Sequence, residues 1–205
     1  MKISYAITVC NELEEVKRLV NFLVLTKRRE DEIVILFDEK NGTDEVFDYI
    51  ESQVGECEVF CEKFEGHFAD WKNLLTSHCT GKYIFQIDAD ELPTEDLIVN
   101  LPHILEINQD IDVLRVPRVN TVEGLTVQHI QKWGWNVNEK GWVNWPDHQW
   151  RIYRNTPEIK WKNKVHEVLE GYKTLSDLPS HEDYSLYHPK TIDRQEKQNN
   201  YYNTL

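Results

Sequence analysis

Short apolar runs alternate with stretches of helical periodicity through the first 110 residues, and this restricts the chain to few architectures. Ile3 to Val9 (ISYAITV), Glu32 to Phe37 (EIVILF) and Tyr83 to Ile87 (YIFQI) are nearly unbroken apolar segments, the pattern of strands covered on both faces. Cys57 to Cys61 adds a shorter one. Between them Leu13, Val16, Leu19, Val20, Leu23 and Val24 recur at three- and four-residue steps, as do Val46, Phe47 and Ile50. The same spacing over Gly66 to His78 places Phe68, Trp71, Leu74 and Leu75 on one helix face. Strand and helix in strict alternation predict an α/β fold: a mostly parallel central sheet flanked by helices.

The fourth run ends in three carboxylates within four residues, Asp88, Asp90 and Glu91, in GKYIFQIDADELP. Pro93 is expected to stop the extended run, and Thr94 to cap a helix whose first turn holds Glu95 and Asp96. In open α/β sheets ligands sit beyond the carboxyl ends of the strands. Carboxylates two residues apart at such a place suit a hard divalent cation that carries phosphates. On spacing alone, a solvated acidic turn ahead of a capped helix explains the residues equally well.

The second half has a different character. Ile111 to Val119 reads as a strand broken at Pro117, and six of the seven tryptophans fall within residues 133–161. Indole rings present an apolar face with a polar edge, which suits stacking on a sugar ring. Most of them are expected in the core of a loop-rich segment, with one or two exposed. Residues 191–205 read as a polar terminal helix.

Charge is as uneven as pattern. Residues 1–110 carry 10 Lys and Arg against 24 Asp and Glu, a net −14, while the rest of the chain is close to neutral, for −13 in all. That surface argues against a nucleic-acid partner, including a metal-dependent nuclease, which would need a basic groove. It also means that a phosphorylated ligand in this half requires a cation to offset repulsion. No apolar run approaches a bilayer span, and MKISYAITVCNE lacks the marks of a secretory signal. Cys10, Cys57, Cys61 and Cys79 are too few and scattered for a disulfide framework. A cytoplasmic chain of one domain is the expectation.

The segments ITVCNE, Asp38 with NGTDEV, DADE, PDHQWRIYRN, KVHEVL and LYHPK, taken together, resemble the family-2 nucleotide-sugar glycosyltransferases of the GT-A fold. Within that family they look like the branch that builds lipopolysaccharide cores and related surface glycans, in a compact viral or bacterial form. The resemblance implies a nucleotide-sugar-binding half, 1–110, and a Trp-rich acceptor-binding and catalytic half, 111–205. It implies that Thr8, Asn11, Glu12 and Asp38 line the base and ribose pocket. Lys72 and Asn73 stand where relatives often carry Arg-Asn near the nucleotide, so the bidentate fork of arginine is missing. Asp88 would bind the ribose or a metal-bound water, and Asp90 the cation, Mn²⁺ or Mg²⁺. His188 is the first choice to complete the metal shell and His166 the second. After Asp38 the usual Ser-Gly-Ser-Thr-Asp is replaced by Glu39 to Asp44 (EKNGTD), which leaves the nucleotide open, with UDP favoured.

Relatives invert the anomeric centre, so a single carboxylate should take the acceptor proton. Asp147, ahead of the Gln/Arg element, is preferred to Glu167 of the VHE segment. Arg151 or Arg154 is a candidate diphosphate contact, against the commoner outward strand arginine. The expected activity is transfer of a sugar from a nucleoside diphosphate to a hydroxyl of a glycan or glycoconjugate. A silent nucleotide- or sugar-binding module is the alternative. A sugar-nucleotide pyrophosphorylase fits less well, because TVCNELEEVKR has no glycine for a triphosphate loop.

Overall fold

The computed structural model of the protein describes residues 1–202. Strands β1 (Ile3–Val9), β2 (Glu32–Asp38), β3 (Glu58–Glu62) and β4 (Tyr83–Asp88) alternate with helices α1 (Leu13–Thr26), α2 (Asp44–Ser52) and α3 (Phe68–His78). These four strands are parallel, in the order β3-β2-β1-β4. The sheet extends beyond β4 through β8 (Gln149–Arg154), β6 (Val113–Val116) and β11 (Leu175–Asp177). β8 is antiparallel to both of its neighbours, and β11 is parallel to β6. The result is a seven-stranded, mostly parallel sheet.

Its strands are apolar on both faces because both are covered. Ile3, Tyr5, Ile7 and Val9 of β1 pack with α1, α2 and α4 (Glu95–Ile107) on one side. Ala6, Val34, Leu36 and Ile84 pack with Ala69, Trp71 and Leu75 of α3 and with Trp161 on the other. Thr94 caps α4 as expected, accepting from the Leu97 amide. α3 begins at Phe68, two residues later than its periodicity suggested, because Gly66 takes a left-handed turn (φ 82°) and His67 becomes the cap.

Pro117 divides the strand expected over 111–119 between two sheets. Residues before it form β6; those after it form β7 (Arg118–Glu123) of a second sheet. A residue without an N–H cannot continue the ladder, while its carbonyl still accepts from Leu186. The second sheet has the order β5-β12-β7, with β5 Leu92–Pro93 and β12 Leu186–Thr191. Pro93 therefore lies in a two-residue strand instead of ending one, and it pairs with Leu186. This small sheet carries β12, and with it His188, to the loop that follows β4.

The remaining elements are α5 (Val127–Trp133), the hairpin of β9 (Lys160–Lys162) and β10 (Val168–Glu170), a single 3-10 turn at Glu182–Tyr184, and α6 (Ile192–Tyr202). The terminal helix expected over 191–205 is found as α6; residues 203–205 lie outside the described part. Tryptophan burial departs from expectation. Trp142 and Trp161 are buried, whereas Trp133, Trp135, Trp145 and Trp150 are half-buried and pack against neighbouring rings. No helix among the described residues is long and apolar enough to cross a membrane.

Candidate active site

The sheet register sets Thr8 of β1 beside Asp88 of β4, and Asp38 ends β2 on the same carboxyl edge. Asp38 is buried and braces the loops there. Its Oδ1 accepts from the amides of Lys40 (2.9 Å) and Phe64 (3.1 Å), and its Oδ2 from the Asn41 amide group. Asn11 is exposed at the end of β1, while Glu12 folds back to accept from the Cys10 and Asn11 amides. Burial raises the Glu12 carboxyl, and the negative charge of Asp90 adds to the rise. Thr8, Asn11, Glu12 and Asp38 thus lie together at the carboxyl ends of β1 and β2.

The three carboxylates after β4 separate by function of place. Glu91 turns inward and is fully buried, bonded to Arg151 and Arg118. Arg151 is also buried, and every N–H it has is engaged: with Glu91, Asp88 (2.7 Å), Gln86 and the Trp150 carbonyl. It lies beneath the acidic loop and has no donor left for a diphosphate. Burial alone would raise the Asp88 carboxyl, but Arg151 and Lys72 outweigh it and hold it far below the usual range. Arg154 turns elsewhere, to Asp112.

Arg151 is therefore the keystone of the DADE loop, and its loss should be felt as stability. Arg151→Met leaves Glu91 with Arg118 alone and Asp88 with Lys72 alone, so the expected loss is about 3 kcal/mol, the lower end for breaking a buried pair. Urea unfolding would read this as a lower midpoint with an unchanged slope. A midpoint within error of the wild type would contradict the assignment.

Asp90 faces the second sheet. Its Oδ2 lies 3.3 Å from His188 Nε2. Asp147 can only accept, so Asn120 turns its amide N–H toward Asp147 (2.8 Å) and its carbonyl toward His188 Nδ1 (2.8 Å). His188 Nδ1 is then the donor, and the Nε2 lone pair meets the Asp90 carboxylate. Burial lowers the His188 pKa despite Asp90, favouring the neutral ring. Two acceptor atoms at this separation fit adjacent places in the shell of one cation, with Asn120 orienting the histidine. Among the described residues no group of three or more His, Cys, Asp or Glu gathers as a cage. Two protein ligands match a cation that takes its remaining partners from phosphates and water. His166 is exposed, in a left-handed turn ahead of β10, and it is His188 that meets Asp90.

The two candidate bases have different surroundings. Asp147 Oδ2 accepts from Arg118 Nε (3.1 Å), Arg118 Nη2 (2.7 Å) and Asn120, and its Oδ1 from Gln149 (2.7 Å). Burial pushes its pKa up, but Arg118 and these amides outweigh burial and hold it low. Glu167 is half-buried, with Lys72 Nζ 3.5 Å from its Oε2. Lys72 also lies 3.6 Å from Asp88 and 4.8 Å from the centre of the Trp161 ring, so it joins the acidic loop to the β9–β10 hairpin. Asn73 clamps that hairpin, exchanging two 2.9 Å hydrogen bonds with the Trp161 backbone.

Arg118, Asn120 and Lys190 were not singled out by sequence. The signal was alternation: Arg118 and Asn120 on β7, and His188 and Lys190 on β12, share one sheet face, with Asn120 and His188 paired in register.

Comparison with known proteins follows the same lines. The family model described as Glycosyl transferase family 2 matches residues 4–176. The SPbeta prophage-derived glycosyltransferase SunS of Bacillus subtilis (strain 168) is 25% identical over 173 residues, covering 83% of this chain and 35% of its own. Glycosyltransferase SunS of Bacillus phage SPbeta matches equally. The chain thus spans about a third of the length of these curated relatives. Among solved structures, S. aureus TarS 1-349 in complex with UDP-GlcNAc superposes with a TM-score of 0.65 at 17% identity. That match covers 93% of this chain and 59% of the other. TarS 1-349 in complex with UDP gives 0.62 at 16% identity, over 92% and 60%. The sheet order and flanking helices are those of the GT-A fold, and the chain belongs to glycosyl transferase family 2.

Proposed function

We propose that the chain transfers a sugar from a nucleoside diphosphate sugar, UDP favoured, to a hydroxyl of a glycan or glycoconjugate, with inversion and with Mn²⁺ or Mg²⁺. The observation that carries this reading is the facing of Asp90 Oδ2 and His188 Nε2 at the carboxyl edge of the sheet, 3.3 Å apart. These two residues would hold the cation, which supplies Lewis-acid stabilisation of the leaving diphosphate. TarS, a match in fold, binds UDP-GlcNAc, which favours a UDP donor here. Thr8, Asn11, Glu12 and Asp38 form the nucleotide rim, and Asp88 faces the donor from its ion pairs with Arg151 and Lys72.

Inversion takes one displacement. The acceptor oxygen forms its bond to C1 as the bond from C1 to the phosphate oxygen breaks. We assign the acceptor proton to Glu167, reversing the preference drawn from sequence. Asp147 is held ionised by Arg118 and already takes donors on both oxygens, so it has little capacity to accept a proton. Its role in this reading is to position Asn120, and through it His188. The Trp-rich second half would form the acceptor side. Four free cysteines fit a reducing, cytoplasmic setting.

The test is nucleotide release from a panel of UDP-, dTDP- and GDP-sugars, each with Mn²⁺, Mg²⁺ or a chelator. The expected result is slow cation-dependent UDP release from one or more donors without acceptor. Tight UDP binding with no release from any donor would leave a silent binding module.

A further inference from the structure

Asp90 is approached by three basic side chains. Besides His188, Arg194 Nη2 lies 3.4 Å and Lys190 Nζ 4.0 Å from its Oδ2. Lys190 stands two residues beyond His188 on the same face of β12, and its side chain is only 6% exposed. Gln198 of α6 holds its ammonium at 2.5 Å. Arg194, also on α6, is tied through Nη1 to Glu15 in the first turn of α1 at 2.6 Å. The guanidinium therefore links α1 to the acidic loop.

A divalent ion between Asp90 and His188 would stand within a few ångströms of the Lys190 ammonium, in a site too buried for solvent to screen them well. Glu15 is already paired with Arg194, Asp88 with Arg151 and Lys72, and Glu12 is bound to backbone amides, so Asp90 is left to offset most of that sum of charge. A diphosphate offsets it, and it would take the two cations from Asp90. We propose that Lys190 and Arg194 are diphosphate-binding residues that make cation and nucleotide binding mutually dependent. Each ligand admits the other, and linkage requires the factor to be equal in both directions. The inference rests on the donor site of the preceding subsection.

Calorimetric titration of Mn²⁺ alone, UDP alone and UDP with Mn²⁺ tests it in the whole chain. The wild type is expected to bind Mn²⁺ alone weakly and the pair strongly. Lys190→Met keeps the stem and removes the charge. It should tighten Mn²⁺ alone by about tenfold and weaken UDP with Mn²⁺ by about tenfold, opposite effects that a structural role would not produce. Arg194→Gln should move both affinities in the same senses by less, because Glu15 shares its charge. That side chain is one-third exposed, so this variant decides the matter if the lysine variant unfolds. Strong wild-type binding of the pair, with both variants weakening or sparing the two ligands alike, would overturn the inference alone. A wild type that binds neither UDP nor Mn²⁺ would overturn the donor site and the inference with it.

Discussion

Asp90→Asn is expected to lower donor turnover by about a thousandfold, the scale of losing one principal source of leaving-group stabilisation. The substitution keeps the size of the side chain and removes its charge. What remains at the site is His188, Lys190 and Arg194, a wholly basic group with no anion to hold a divalent ion. Asp90 is ionised in the wild type: burial raises its carboxyl, but the basic side chains around it outweigh burial and hold it low. Nucleotide release at saturating Mn²⁺ measures the effect, with thermal unfolding as the control for the fold. Turnover near the wild-type value in a folded Asp90→Asn protein would remove the cation from the account. Asp88→Asn makes an instructive companion, because Asp88 is bound from below by Arg151, so its loss should also appear in stability.

Glu167→Gln is expected to cost about 10²- to 10⁴-fold in kcat for transfer, the usual contribution of a positioned general base. KM for the donor should change little, because Glu167 is assigned to the acceptor proton. Asp147→Asn should behave differently. It leaves the Arg118 guanidinium short of a carboxylate and frees Asn120 to rotate, so stability falls by about 1 to 3 kcal/mol. Transfer then suffers indirectly, through the orientation of His188. The kinetic signature separates the two: the base variant loses kcat at an unchanged Mn²⁺ requirement, whereas the positioning variant needs more Mn²⁺ to reach half of its activity. A folded Asp147→Asn protein without transfer, beside an active Glu167→Gln protein, would reverse the assignment.

Much of the frame was legible in the chain because burial on two faces leaves a plain mark. β1, β2 and β4 coincide with apolar runs, and Thr94 announces α4 with a hydroxyl at its cap. The acidic tip was equally plain, but its internal division was not. Asp88, Asp90 and Glu91 look alike in sequence, yet Glu91 is buried between two arginines while Asp90 turns to the second sheet. Which carboxylate faces inward depends on Arg118 and Arg151, supplied by strands 27 and 60 residues further along. The contact between Asp90 and His188 joins residues 98 apart and exists only because Pro117 passes the chain from one sheet to another. Arg151 was a candidate diphosphate contact for the same reason: its partners are invisible in sequence, and in the fold Glu91, Gln86 and Asp88 take its donors. Lys72 kept the charge expected near the donor, while Asn73 went to the backbone of Trp161.

The central claim is that Asp90 and His188 hold one cation, and that this cation holds a diphosphate. Pulsed electron paramagnetic resonance of the chain with Mn²⁺ and UDP addresses it at the metal itself. The account predicts coupling of the Mn²⁺ both to phosphorus and to one imidazole nitrogen, the latter vanishing in His188→Ala. Phosphorus coupling with no nitrogen, or an unchanged nitrogen signal in His188→Ala, would contradict it.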